Sequence, residues 1–254
     1  MRLVRYRFGD EIATGVLEDG TIRGLRGTFF EDPIPSGAEV DAEHVRLLAP
    51  VIPSKVVAIA RNYPAHAVEM GNEVPEVPML FIKPATSVIG PGDPIPIPEG
   101  PSRVDPEAEL AVVIGRVCRR VSEEDALKYV LGYTCANDVT ARDWQQSDGQ
   151  WGRAKGSDGF CPLGPWIETE LDPSDLGVRS RVNGEERQSG RTSSLVFPPP
   201  RLIAHIARSI TLLPGDVVLT GTPPGVGPMR PGDSVEIEIE GIGVLANPVA
   251  YAGG

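Results

Sequence analysis

Three acidic residues stand at every second position in the stretch VDPEAELAVVIG (Val104–Gly115): Asp105, Glu107 and Glu109. In a strand, side chains two apart share a face, so Glu107 and Glu109 would sit side by side, roughly 6–7 Å apart. Ala108, Leu110, Val112 and Ile114 would fill the opposite face. A third acid, Asp138, falls at the end of a second expected strand in CANDVTARDW (Cys135–Trp144), with Arg142 and Asp143 just after it. Buried acids need partners or metals. Three converging carboxylates would bind a hard cation through oxygen: Mg²⁺, Mn²⁺ or Ca²⁺. Such an ion, left partly open to substrate, polarises a carbonyl and stabilises an enolate. Alternation alone does not establish this. SVEIEIEG (Ser234–Gly241) repeats the pattern with Glu236, Glu238 and Glu240, and reads as the wet side of an antiparallel strand.

The elements that must position these acids are mostly strands. Gly and Pro make up 29 and 26 of the 254 residues and are spread as punctuation, which indicates many turns. Pro-Gly-Asp occurs at 91–93 and again in LLPGDVVL and RPGDSVEI, where a strand-like run follows almost at once. Asn183-Gly184 marks a hairpin tip. Strands are expected at 3–8, 11–17, 55–60, 79–83, 109–115, 132–137, 164–168, 178–182, 217–220, 234–240 and 243–248. Helices are few: one capped by Ser122 and running through Val130, one over Arg201–Thr211 with apolar residues at Leu202, Ile203, Ile206 and Ile210, and a short one over Ala65–Met70. The fold class is α+β and strand-rich. Residues 1–50 read as a separate small β unit, ending near the polar stretch Ser36–His44, and residues 51–254 as the catalytic body.

Composition narrows the function. A net charge of −11 argues against nucleic acid and anionic membranes as partners. No apolar run approaches the length of a membrane span, and the opening MRLVRYRFGDE has no apolar signal core, so a cytoplasmic protein is expected. Cys118, Cys135 and Cys161 are odd in number and widely spaced, as suits small core residues in a reducing compartment. LTGTPPGVG follows a strand with a Gly-rich loop, but it lacks a G-K-[ST] ending and a following helix, which excludes a nucleotide cradle.

Read in order, ARNYPAHAVEMG, MLFIKP, VDPEAELAVVIG, GYTCANDVTARDWQ, WGRAKGSDGFCPLGPW, RVNGEERQSGRTSSLVF and LTGTPPGVG resemble the fumarylacetoacetate hydrolase family over residues 55–249. The resemblance implies a family-type β-sandwich or roll. It implies Glu107, Glu109 and Asp138 as ligands of Mg²⁺ or Mn²⁺, with Ca²⁺ as a further option, and leaves Asp105 and Asp143 in supporting roles. It also implies a His66–Glu69 dyad on a lid, where a spacing of three puts both side chains on one face of a helical turn. Glu69 would orient His66, and His66 would activate water. Lys155 would face metal and substrate and offset developing negative charge. Arg142 and Gln145 resemble substrate contacts, with an ordinary salt bridge as the equal alternative. Thr222 would meet a substrate carboxylate, with a plain turn as its rival. One departure is Ala60, where the family lid opens with Gly, and Pro64 follows Tyr63.

The activity implied is hydrolysis of a C–C bond, or decarboxylation, in a small 2-oxo dicarbonyl acid of the acylpyruvate, fumarylpyruvate or oxaloacetate type, through an enolate. The alternative is a 2-hydroxyhepta-2,4-diene-1,7-dioate isomerase, and the non-enzymatic one a silent metal-binding module. The resemblance also implies a homodimer.

Overall fold

The computed structural model describes residues 1–253. The chain opens with a meander of four strands, β1 (Arg2–Phe8), β2 (Glu11–Glu18), β3 (Thr21–Arg26) and β4 (Ile34–Asp41), followed by the short β5 (Arg46–Leu47). The body continues with β6 (Val56–Ala60), α1 (Pro64–Glu69), β7 (Met79–Lys83), β8 (Val88–Ile89), β9 (Ile95–Ile97), β10 (Val104–Asp105), β11 (Ala108–Ile114), β12 (Val130–Asn137) and β13 (Thr140–Ala141). Then come α2 (Arg142–Ser147), α3 (Gly152–Gly156), β14 (Cys161–Glu168), β15 (Gly177–Val182), β16 (Glu185–Arg191), α4 (Pro199–Ala207), β17 (Val217–Leu219), β18 (Ser234–Ile239) and β19 (Gly243–Tyr251). The strand-rich α+β class expected from the sequence is what the chain adopts, with only short helices.

The large sheet runs β4-β3-β2-β1-β14-β12-β11-β17-β6-β7, and a five-stranded sheet runs β16-β15-β18-β19-β9. Most neighbours are antiparallel; β17 runs parallel to β6. The principal core lies between the two sheets. Leu110, Val112 and Ile114 of β11 meet Val178, Val235, Ile237 and Ile239 of the smaller sheet and Leu202, Ile203 and Ile206 of α4. The other face of β11 is equally dry: Ala111 and Val113 pack with Val56, Ala58, Val217 and Leu219. A strand buried on both faces carries no ordinary solvated side, so acids on it need a reason to be there.

Several local expectations shift by identifiable causes. The segment from Ser122 forms no α-helix. Only Ala126–Tyr129 turn, as a 3₁₀ helix, and the Ser122 hydroxyl accepts from the Asp125 amide at 3.3 Å. Of that turn only Ala126 is buried, so no apolar stripe anchors a longer helix. The helix expected at 201–211 begins at Pro199, because prolines at its first positions lack only amides that would go unpaired anyway, and it ends at Ala207. The polar stretch 36–44 is the second half of β4 and a 3₁₀ turn. Asn183 and Gly184, with φ of 53° and 79°, form the two-residue loop between β15 and β16, where Val182 pairs with Glu185. Glu236, Glu238 and Glu240 do line a wet face, paired there with Arg181, Arg179 and Arg191.

Candidate active site and metal centre

Glu107 precedes β11 and Glu109 lies on it, while Asp138 follows β12, whose register sets Ala108 opposite Asn137 and Glu109 opposite Ala136. Two hydrogen bonds lock this corner: the Asp138 amide donates to the Glu107 carbonyl (2.9 Å), and the Glu107 amide donates to the side-chain Oδ1 of Asn137 (2.9 Å). The three carboxylates converge, each offering an oxygen within 4.8 Å of the others, and all three residues are buried.

Three cations reach Glu107 and Asp138. Lys155, on α3, donates to Glu107 Oε2 (2.9 Å), Asp138 Oδ2 (2.6 Å) and the Thr140 hydroxyl (2.7 Å), which uses all three of its protons. Lys83, the last residue of β7, is fully buried and donates to Asp138 Oδ1 and to the Phe160 carbonyl. Arg142 donates through Nε to Asp105 Oδ2 (2.7 Å) and through Nη1 to Gln145 Oε1 (3.1 Å). Its Nη2 lies 2.7 Å from Glu107 Oε1, close enough for an ion pair but poorly aligned for a hydrogen bond. Asp105, itself buried, is gripped from the other side by Arg103 through two bonds of 2.9 Å.

The acids differ in consequence. Burial pushes the Glu107 carboxyl up, but Lys155, Arg142 and His66 outweigh it and hold it well below the usual carboxylate range. Burial drives Glu109 well above that range, and Asp138 and Glu107 add to the effect. Among the described residues Glu109 has no cationic partner; it accepts one bond, from the Gly221 amide at 2.5 Å. A buried acid facing two others without a cation of its own is the arrangement a bound divalent ion would relieve. Glu107, Glu109 and Asp138, all hard oxygen donors, therefore fit Mg²⁺ or Mn²⁺.

The lid follows from the chain at Ala60. Ala60 is an ordinary strand residue paired with Met79, so the alanine is accommodated without strain. The left-handed position is Arg61, with φ of 57°. Tyr63 is extended, as a residue before proline should be, and Pro64 opens α1. His66 Nδ1 lies 3.0 Å from Glu69 Oε2, and His66 Nε2 lies 4.0 Å from Glu107 Oε1. The second Glu69 oxygen accepts from the Gly225 amide (2.9 Å), which ties the lid to the Gly-rich loop.

A cavity of about 290 Å³ unites these groups, with His66, Glu107, Glu109, Asp138, Arg142, Gln145, Lys155 and Thr222 on its wall. Every candidate from the sequence but Glu69 thus borders one space, and Glu69 stands behind His66, bonded to its Nδ1. Several are already engaged: the Thr222 hydroxyl donates to the Ala108 carbonyl (2.8 Å) and accepts from Gln188 Nε2 (2.7 Å), and Lys155, Arg142 and Gln145 are bonded as above. The salt-bridge alternative weighed for Arg142 is thus present, together with its place on the cavity wall. Asp143 braces Ser102 rather than the cavity. Sequence reasoning passed over Lys83 and Gln188. The signal for Lys83 was a lysine in phase with Phe81 on an otherwise apolar strand. Gln188 offered none, although its Oε1 accepts from the Ala108 amide (2.9 Å) beside the acid pair.

The chain matches the model of the fumarylacetoacetate (FAA) hydrolase C-terminal family over residues 55–250, and that of the Rv2993c-like N-terminal family over residues 1–50. It belongs to the fumarylacetoacetate hydrolase family and is an enzyme of that superfamily. It is 48% identical to a mitochondrial oxaloacetate tautomerase of Xenopus laevis over 219 residues, 81% of this chain and 69% of that one. Its fold superimposes on a 5-carboxymethyl-2-hydroxymuconate delta-isomerase from Mycobacterium smegmatis with a TM-score of 0.94 and 49% identity, covering 99% and 100% of the two chains. A maleylpyruvate hydrolase from Sphingobium, solved with manganese(II) and pyruvate, aligns with a TM-score of 0.83 and 33% identity over 99% of each chain. No helix among the described residues is long and apolar enough to cross a membrane.

Proposed function

We propose that the protein is a divalent-metal-dependent enzyme acting on a small 2-oxo acid with a second carbonyl or carboxyl group, and that its central step is proton transfer at the carbon beside the keto group. The observation that carries this reading is His66, held by Glu69, on the wall of one cavity with three buried carboxylates. Held by Glu107, Glu109 and Asp138, Mg²⁺ or Mn²⁺ would polarise the keto oxygen. The chain's own residues do the rest. With Glu69 accepting from Nδ1–H, the lone pair of His66 is on Nε2, the nitrogen turned toward Glu107. His66 takes a proton from the activated carbon and returns it elsewhere on the enolate, and Glu69 steadies the imidazolium between the two steps. Lys155 supplies fixed positive charge beside the developing enolate. Tautomerisation or double-bond isomerisation leads because the tautomerase and the isomerase are each about half identical to this chain.

Hydrolysis or decarboxylation is the second reading. The same dyad can draw a proton from water, and the manganese-containing relative is a hydrolase. One experiment separates the two. Chelator-stripped protein, with and without Mg²⁺ or Mn²⁺, is given oxaloacetate and acetylpyruvate, while the enol absorbance and released pyruvate are followed together. Metal-dependent loss of the oxaloacetate enol without pyruvate, abolished by Asp138→Ala and by His66→Ala, is the expected result. Pyruvate appearing as fast as the enol is lost would put hydrolysis or decarboxylation first. No metal-dependent change with either acid, nor with a hydroxydienedioate, would overturn both readings.

A further inference from the structure

The cations of the cavity are unevenly used. Lys155 spends its protons on Glu107, Asp138 and Thr140, and Arg142 is bonded to Asp105 and Gln145 and ion-paired with Glu107. Arg61 differs. It borders the same cavity, half-buried, and among the described residues its guanidinium makes no hydrogen bond or ion pair.

Its backbone is also unusual. A φ of 57° lies in the left-handed region, where a residue with a Cβ is held only if its surroundings insist. They do. Ala60 is fixed in β6 against Met79. Asn62 is buried and donates to the carbonyls of Phe197 (2.9 Å) and Thr220 (2.8 Å), while its side-chain oxygen accepts from the Phe197 amide (2.8 Å). Its own carbonyl accepts from the Val196 amide (2.9 Å). The chain is clamped on both sides of a strained arginine that has no internal partner.

We propose that Arg61 determines specificity for dicarboxylates: it takes the far carboxylate of a 2-oxo diacid whose 2-oxo end lies at Glu107, Glu109 and Asp138. The assignment rests on the reading of this cavity as a 2-oxo acid site. A guanidinium offers two parallel donors matched to a carboxylate. Among the described residues of this cavity wall, a second substrate carboxylate meets one cation not already committed to the protein's own acids. An acid of the same length with a neutral tail gains nothing from Arg61.

Calorimetric titration of the Mg²⁺-loaded protein with 2-oxoglutarate and with 2-oxopentanoate tests this, since the two differ only in the terminal carboxylate. Arg61→Asn removes the cation while keeping a side chain that tolerates the left-handed backbone. Arg61→Lys keeps the charge without the planar pair of donors. The wild type should prefer the diacid. Arg61→Asn should weaken the diacid by at least about tenfold and leave the monoacid within about twofold. Arg61→Lys should fall between, with melting temperatures unchanged. Equal wild-type affinity for both acids, or an equal loss of both in Arg61→Asn, would overturn the assignment and leave Arg61 a support of the lid. A wild type that binds Mg²⁺ but neither acid would bring down the 2-oxo acid reading itself, and the role of Arg61 with it.

Discussion

Glu109 is the acid whose surroundings most resist its charge. Burial raises its carboxyl first, then the proximity of Asp138 and Glu107. A carboxylate whose folded pKa is raised above its ordinary value costs stability as pH climbs from that value through the raised one, because folding must then keep a charge it disfavours. A divalent ion reverses this by favouring the ionised form. The rise in melting temperature caused by Mg²⁺ should therefore grow as pH climbs above the ordinary carboxylate range, and calorimetry in buffers of different protonation enthalpy should show proton release on binding. An Mg²⁺ effect independent of pH would refute this. Lys83 is the complementary case, a fully buried ammonium held by Asp138 and a carbonyl. Lys83→Met should destabilise the metal-free protein by about 1–3 kcal/mol, less than the cost of a fully stranded charge because Asp138 keeps its bond from Lys155; denaturant unfolding measures it, and an unchanged midpoint would show that Asp138 needs no support from Lys83. Alternation puts Glu107 and Glu109 on one face but does not mark them as ligands, since SVEIEIEG repeats the pattern on a wet face; the ligand reading comes from the ordered motifs that resemble the family. Lys83 was not legible in the sequence, because a lysine ending a strand ordinarily reaches water, and only the packing of β7 beside α3 shows that this one cannot.

At the scale of elements, the lid and the Gly-rich loop act as one piece. Glu69 holds His66 with one oxygen and the Gly225 amide with the other. Gly225 adopts φ of 105°, and a Cβ there would lie 2.1 Å from the Arg187 carbonyl. Gly225→Ala must move the loop, and Glu69 with it. Turnover should fall by about tenfold or more, since small misplacements of a catalytic group cost rate steeply, while Mg²⁺ affinity stays as in the wild type because no carboxylate ligand is touched. Steady-state kinetics beside metal titration checks it; full activity would mean that the loop gives Glu69 nothing. Most long strands and the Asn183-Gly184 turn could be read from alternation and turn chemistry, but β3, β4 and β16 were not expected, because their mostly exposed or polar residues show no apolar alternation. The short helices α2 and α3 could not be read either, because five or six residues show no helical period. Yet these helices carry Arg142, Gln145 and Lys155, so their placement against the acids depends on contacts distant in sequence. The Ser122 segment fails in the opposite way: it has a plausible cap but no apolar face for tertiary packing to hold.

At the scale of the whole molecule, the first fifty residues read as a separate unit, but their backbone is continuous with the sheet that carries the acids. β1 pairs with β14 (Arg2 with Glu168, Leu3 with Ile167), β14 with β12, and β12 with β11. The N-terminal ammonium lies 2.6 Å from Glu168. Leu3 and Phe29 share a core with Ala111, Val113, Leu163 and Ile167, on the face of β11 that also bears Glu109. Removing residues 1–50 would strip this face and leave β14 as an open edge, which invites pairing with other chains. A protein comprising residues 51–254 should therefore aggregate, or melt well below the full chain, and should bind Mg²⁺ less tightly as the support under β11 loosens. Size-exclusion chromatography, thermal unfolding and metal titration of the two proteins decide the matter. A monodisperse body with the melting temperature and Mg²⁺ affinity of the full chain would instead establish residues 1–50 as an independent domain, and would free the geometry of the acids from any dependence on it.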